Sequence, residues 1–441
     1  MNTVRQEAPE LAQGTAPGNR RMVRVAAASM AGTAIEAFDF LAYGTAAALV
    51  FNKLFFPGLD SATGTLAAFG AFAAGLFARP VGGVIFGHFG DRIGRKSILI
   101  LSLVLMGLCT TLIGLLPTYD SIGIWAAVLL VVLRIGQGVS FGGELGGAVL
   151  MAVEHAPAGS KSFYGSLPQA GAPIGILLST GAFALVNMLP NASFMSWGWR
   201  IPFLASAALI AVGVFIRMKV EETPEFDAVK KQHKVATIPA REVLVHHWRP
   251  LLLAIGGKLA EVTLVYTIIV FSISYATANL GFTRANALNA VLIGSLCQIV
   301  TIPLFGWLGD RIGARRLYII GTLLLAIMAM PLFHAMGTGS LPLYTLAAVT
   351  ALALNYAIIF GPQSSLYASQ FPAELRYSGI SMGIQIAAAI GGGLAPLIAS
   401  WLVSHVGGIG SVGIYLSVLG LIGALSAWMM KPTSSDRPIK G

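Results

Sequence analysis

Glu36, Asp39 and Tyr43 stand at i, i+3 and i+7 within an apolar stretch, so a helix there presents all three on one face. Arg134, Gln137, Phe141 and Glu144 repeat that pattern in a second stretch, and Arg79 opens an Arg-Pro-Val-Gly-Gly run in a third. Lys258 and Glu261 lie three apart in a fourth. Carboxylates in apolar surroundings can take up and release a proton, and a guanidinium can hold a carboxylate through two parallel hydrogen bonds. Arg79 and Arg134 are therefore candidates for holding an anionic ligand, or for structural ion pairs with Asp39, Glu36 or Glu144. The proton is assigned first to Asp39, then to Glu144 and Glu36. Lys258 and Glu261 read as a mutually neutralising pair near the edge of their helix.

Such charges are expensive in lipid, and lipid is what surrounds them. Of 441 residues, 56% are hydrophobic and only 10% are charged, with a mean hydropathy of +0.78, where a soluble domain carries about 25% charged residues. Apolar stretches long enough to cross about 30 Å of hydrocarbon recur twelve times. The expected spans are 23–51, 64–88, 97–116, 122–152, 163–189, 199–218, 250–278, 285–309, 316–336, 342–368, 377–403 and 408–430. Long continuous segments indicate helices and exclude a barrel, which would alternate in short strands. The fold class is an all-α polytopic membrane protein.

Twenty-two of the 28 Lys and Arg residues fall on one side of this topology, which places both termini in the cytoplasm. The net charge of +10 follows from that bias and gives no support to nucleic-acid binding. Residues 1–22 are expected to be a disordered cytoplasmic tail, 23–218 and 250–430 two six-helix bundles, 219–249 a cytoplasmic linker and 431–441 a second tail. Cys109 and Cys297 sit in different apolar segments, and the seven His are scattered. Neither a metal site nor a cofactor is expected.

Gly87-His-Phe-Gly-Asp91-Arg92-Ile-Gly94 recurs 219 residues later as Gly306-Trp-Leu-Gly-Asp310-Arg311-Ile-Gly313, with six of eight positions identical. Each copy lies between the second and third helix of its own half, on the same side, so the halves are parallel repeats. Glycines let the chain approach a neighbouring helix, and Asp91 can cap a helix N-terminus or pair with an arginine. Gly87, Asp91, Arg92, Gly94, Arg95, Gly306, Asp310 and Arg311 form the expected cytoplasmic gate; the alternative is a static turn.

This repeated segment, with the ending Asp91-Arg92-Ile93-Gly94-Arg95-Lys96, resembles the signature of the major facilitator superfamily. The likeness narrows, over nearly the whole chain, to its metabolite:proton symporter family. It is carried by Glu36 to Gly44, Phe77 to Gly83, Arg134 to Glu144, Trp197 to Phe203, Glu221 to Phe226 and Arg376 to Gly379. Ala47 to Asn52, Gly64 to Phe69 and Ser196 to Phe203 look most like its shikimate-carrying members. Ala37-Phe38 departs from the Trp-Tyr often found there, and Ala314 replaces a glycine of the second copy.

The resemblance implies a proton-coupled symporter for a small organic acid, shikimate-like or a di- or tricarboxylate, acting as a monomer in the cell membrane by alternating access. A zwitterion such as proline or betaine is the alternative substrate, and a sensor with a carrier fold the alternative function. The chain holds no clustered catalytic set for an enzyme. In this scheme a substrate carboxylate competes with Asp39 for an arginine, and protonation of Asp39 frees that arginine. Tyr43, Gln137, Gln169, Tyr266, Asn355, Gln363 and Gln385 are polar groups on apolar helices and line the expected cavity, or else satisfy the backbone.

Overall fold

The computed structural model describes residues 19–59, 61–219 and 239–433. Most of the expected first tail, linker and last tail falls outside the described residues. Twelve long helices follow one another. They are α1 (Asn19–Ala46), α2 (Ser61–Ile93), α3 (Arg95–Leu115), α4 (Ile124–His155), α5 (Lys161–Val186) and α6 (Ile201–Met218), then α7 (Trp248–Asn279), α8 (Arg284–Ile312), α9 (Ala314–Gly337), α10 (Leu341–Ala368), α11 (Arg376–Gly407) and α12 (Gly410–Met429). Eleven are long and apolar enough to cross a membrane, and α1 is the twelfth of the set. α2 and α8 run past their expected ends, to Ile93 and Ile312, because Asp91 and Asp310 still sit on the last helical turn, whereas α5 stops short of its expected end, at Val186. Within the expected linker, Pro239–His246 forms a short helix of its own.

The two halves repeat in detail. α1 runs into a π turn at Ala47–Phe51, and α7 is interrupted by one at Thr267–Phe271, an offset of 220. Gly94 and Gly313, at φ 122° and 102°, make the single-residue turns from α2 to α3 and from α8 to α9. A side chain is strained at such angles, which is why glycine ends this segment in both copies. α1 packs on α5, α2 on α4 and α3 on α6; α7, α8 and α9 repeat this with α11, α10 and α12. The halves meet where α2 touches α11 and α8 touches α5.

Glycines bring these helices together at backbone distance. A methyl on Gly138 would meet the Gly75 Cα at 2.9 Å, and one on Gly361 would meet the Gly306 nitrogen at 2.7 Å. Such contact lets helices pack by dispersion where lipid supplies no hydrophobic drive. The outer faces are apolar: on α3, Leu101, Leu108, Leu112 and Leu115 are exposed on one stripe while Ser102, Met106, Cys109 and Ile113 are buried on the other. Hydrocarbon covers the exposed stripe.

Candidate functional site

Arg79 lies twelve residues from Asp91 along α2, about 18 Å at 1.5 Å per residue, and so near mid-membrane. Its guanidinium is buried between the rings of Phe40 on α1, 4.1 Å from the centroid, and Phe141 on α4, 3.8 Å away. Arg134 is fully buried beside it, over Phe40 at 4.2 Å, Tyr43 at 4.4 Å and Phe72 at 4.6 Å. Aromatic faces attract a desolvated cation strongly. Across the interface, Tyr266 of α7 packs on the Phe40 cluster and its hydroxyl comes up to Arg79. Gln385 of α11 donates to the Phe141 carbonyl at 3.5 Å.

A hydrogen-bonded chain fixes Arg134. Its Nη1 donates to Gln137 Oε1 at 2.9 Å, and Gln137 donates to Thr110 Oγ1 of α3 at 2.7 Å. Arg79 Nε and Arg134 Nε and Nη2 have no hydrogen-bond partner. No carboxylate among the described side chains stands within ion-pairing distance of either arginine. Of the alternative ion pairs, those with Asp39 and Glu36 are thus absent; burial between rings takes their place. Glu144 lies on α4, but its side chain lies outside the described ones.

Asp39 points elsewhere than Tyr43. It accepts from Ser206 Oγ of α6 at 2.6 Å, and its Oδ2 is unpartnered. Both Glu36 oxygens are buried without a partner. Gln363 does not join the arginines either: it accepts from Lys258 at 3.0 Å and donates to Tyr318 at 3.3 Å. Lys258 pairs with Glu261 as expected, but not at the helix edge. Both are buried, and Lys258 lies ten residues into α7, about 15 Å deep. Removing one member of such a pair costs about 3–5 kcal/mol, whereas apolar replacement of both is near neutral. Lys258→Met should therefore lower the melting temperature in detergent sharply and Lys258→Met/Glu261→Leu recover most of the loss; a single variant that melts like wild type would contradict this.

At the Asp91 end the repeated segments lock the halves symmetrically. Asp91 accepts the backbone N–H groups of Tyr377 at 3.2 Å and Ser378 at 2.9 Å, at the start of α11. Asp310 accepts those of Ser162 and Phe163, both at 2.8 Å, at the start of α5. Each carboxylate satisfies two orphan donors and meets the positive end of a helix dipole. Gly87 and Gly306 permit the approach, since a methyl on the first would lie 2.8 Å from the Ser378 Cα and one on the second 2.8 Å from the Ser162 carbonyl.

The charges around these caps are not symmetric. Arg95, buried, reaches Asp91 at 3.9 Å, Glu154 at 3.4 Å and the Ala373 carbonyl at 2.9 Å, and Arg376 meets Glu154 at 3.1 Å. The second copy has Ala314 in place of Arg95. Between the two caps lies a cavity of about 240 Å³ lined by Glu154, Lys161, Asp310 and Arg376. Arg92 and Arg311 are not part of the lock. Both are exposed, Arg92 beside His88 and Arg311 over Trp307, because the residue after Asp91 or Asp310 on the last helical turn points away from the other half. Asp91→Ala and Asp310→Ala should each favour an open state by about 1 kcal/mol as for a lost cap, and Asp91→Ala the more, because it also removes the contact with Arg95 that Asp310 lacks. Spin-label distances between cysteines at Ile93 and Ile312, in a background lacking Cys109 and Cys297, measure this; equal effects would contradict the asymmetry.

Sequence reasoning missed the ring pair Phe40 and Phe141 as a cage, and also Thr110, Ser206 and Glu154. Only Phe141 carried a signal, sharing the helix face of Arg134.

Residues 25–247 match the model of the sugar (and other) transporter family, and residues 259–441 that of the major facilitator superfamily. The shikimate transporter of Escherichia coli K12 is 44% identical over 418 residues, covering 93% of this chain and 95% of that protein. The inner membrane metabolite transport protein YhjE of the same organism is 42% identical over 402 residues, covering 90% and 91%. The solved structure of the proton:xylose symporter XylE bound to 6-bromo-6-deoxy-D-glucose superposes with a TM-score of 0.75 at 17% identity, covering 95% of this chain and 98% of that one. Twelve helices in two parallel halves, joined by the aspartates of a twice-used segment, belong with these relatives: the chain is a multi-pass membrane transporter of the major facilitator superfamily, not an enzyme.

Proposed function

We propose that the protein is a proton-coupled symporter that brings a small organic acid, shikimate-like or a di- or tricarboxylate, into the cell across the inner membrane. The observation that carries this reading is the pair Arg79 and Arg134, buried at mid-membrane with unused donors and no carboxylate partner among the described side chains. A buried guanidinium keeps its charge, so a site of two is built to receive an anion. The likeness to the shikimate transporter supports the same class of substrate. In this reading the Asp91 end faces the cytoplasm, in agreement with the bias of Lys and Arg, and its two helix caps hold the carrier in the state closed on that side.

Asp39 serves as proton acceptor. It neighbours the arginine layer through Thr110 of α3, which holds Gln137 and so Arg134, and with its proton bound the cavity carries net positive charge that attracts the anion. Anion and proton then cross together when the caps at Asp91 and Asp310 give way. The test is uptake of radiolabelled shikimate, ketoglutarate, citrate and betaine into proteoliposomes under an inward proton gradient, with and without an uncoupler. Uncoupler-sensitive accumulation of an acid is the expected result. Accumulation of betaine alone would overturn the anion site, and binding without flux would make the chain a sensor.

A further inference from the structure

Glu36 has a setting that the arginine cage does not explain. It is buried on α1, neither oxygen has a hydrogen-bond partner, and it lies in the field of two arginines, Arg217 of α6 and Arg79 of α2. Asp39, on its own helix, and the Tyr377 phenol of α11 also act on it. No charged group of α4 or α5 does so among the described side chains; α5 instead presents Gly171 and Gly175 to the backbone of α1.

Arg217 belongs to the last turn of α6 and yet is turned inward. It is buried, and its Nη1 donates to the Leu99 carbonyl of α3 at 2.5 Å. Its guanidinium fits because position 32, one turn from Glu36 toward the Asp91 end, is glycine: a methyl there would overlap it. Beyond the guanidinium a void of about 10 Å³ is bounded by Ala28, Ser29, Lys96, Leu99 and Met151. That is close to the room one water needs. Glu36, Arg217, this void and Lys96 thus follow one another toward the Asp91 end.

Tyr377 closes the same region from the other half. Its ring lies in a slot between α2 and α4, where a methyl on Gly90 would meet it at 2.9 Å and one on Gly147 at 2.7 Å, and its hydroxyl donates to the Gly143 carbonyl at 2.7 Å. The backbone N–H of the same residue is held by Asp91. When the Asp91 lock releases α11, the ring leaves its slot with it.

We infer that Glu36 and Arg217 form the proton-release site of the transport cycle, shut by Tyr377 until the Asp91 end opens. This rests on the proton-coupled reading above and deepens it. The proton taken up at Asp39 leaves by way of Glu36: the Asp39 O–H bond breaks as a Glu36 O–H bond forms, the Glu36 O–H bond then breaks and the proton passes to water on the Asp91 side, and the carboxylate left behind lies in the field of Arg217, which stays protonated throughout. Arg217 is a positioning residue. It does not touch substrate; it favours the ionised carboxylate at the moment of release.

The test uses purified wild type, Arg217→Gln, Arg217→Lys and Gly32→Ala in proteoliposomes, with radiolabelled shikimate as the probe. Equilibrium exchange requires no proton release, whereas uptake driven by an inward proton gradient does, so both are measured over a series of internal pH values. For Arg217→Gln, exchange should stay near wild type while uptake at neutral internal pH falls roughly tenfold and its midpoint moves up by about one pH unit, because the counter-charge is gone. Arg217→Lys should keep the wild-type midpoint. Gly32→Ala, which displaces the guanidinium with its charge intact, should move it as Arg217→Gln does. An unmoved midpoint in Arg217→Gln, or an equal loss of exchange and uptake, overturns the inference. If that variant is not recovered folded, Gly32→Ala decides alone by the same criterion. A wild type that exchanges shikimate without accumulating it overturns the coupled reading itself, whereas a coupled wild type with unmoved variants overturns only the release site.

Discussion

Asp39→Asn should lose proton-driven accumulation altogether, with internal substrate rising no higher than external, while equilibrium exchange continues. The structure makes this a clean substitution. Asn is the same shape, and its carbonyl oxygen still accepts from Ser206 Oγ, the bond Asp39 makes at 2.6 Å. What it cannot do is gain or lose a proton. Folding is spared because the buried side chain remains hydrogen-bonded, and removing its charge from a site of 0% exposure relieves desolvation. Uphill uptake at the wild-type level in Asp39→Asn would remove Asp39 from the scheme, and loss of exchange together with accumulation would make it a structural residue.

Arg134→Lys, conservative in charge, should be nearly as damaging to substrate affinity. The guanidinium faces three rings at 4.2–4.6 Å and is aimed by Gln137, which Thr110 holds in turn. An ammonium is a point charge that cannot offer two parallel donors to a carboxylate or lie flat on a ring. The half-saturating concentration for exchange should rise roughly 10- to 100-fold, equivalent to about 1.4–2.8 kcal/mol. Gln137→Ala should give a smaller loss of the same kind, since it frees the arginine without removing it. Wild-type affinity in Arg134→Lys would show that the substrate carboxylate binds elsewhere.

The architecture was legible in the sequence because lipid leaves few solutions. Backbone groups in hydrocarbon must be bonded within the segment, so each long apolar run had to be a helix. The repeat at Gly87 and Gly306 likewise announced its own geometry: both aspartates cap the helix that the equivalent position in the other half must face. Details that depend on which neighbour a side chain meets were not legible. Glu36, Asp39 and Tyr43 do share an arc of α1, but α4 and α6 divide that arc between them, so Asp39 meets Ser206 of α6 while Tyr43 lies under Arg134 of α4. Phe40 looked like any lipid-facing phenylalanine, and only its position between two guanidinium groups distinguishes it. Arg92 and Arg95 are alike as letters; the Gly94 turn between them leaves one in solvent at the end of α2 and puts the other, at the start of α3, in the Asp91–Glu154–Arg376 cluster.

Proton coupling is tested most directly by watching the proton itself. Unlabelled shikimate is added outside weakly buffered proteoliposomes that carry a pH-sensitive dye in the lumen and no imposed gradient. The account predicts that shikimate entry acidifies the lumen in step with uptake, and that Asp39→Asn carries shikimate in exchange without this signal. Net entry of shikimate into wild-type vesicles with no change in luminal pH would contradict it.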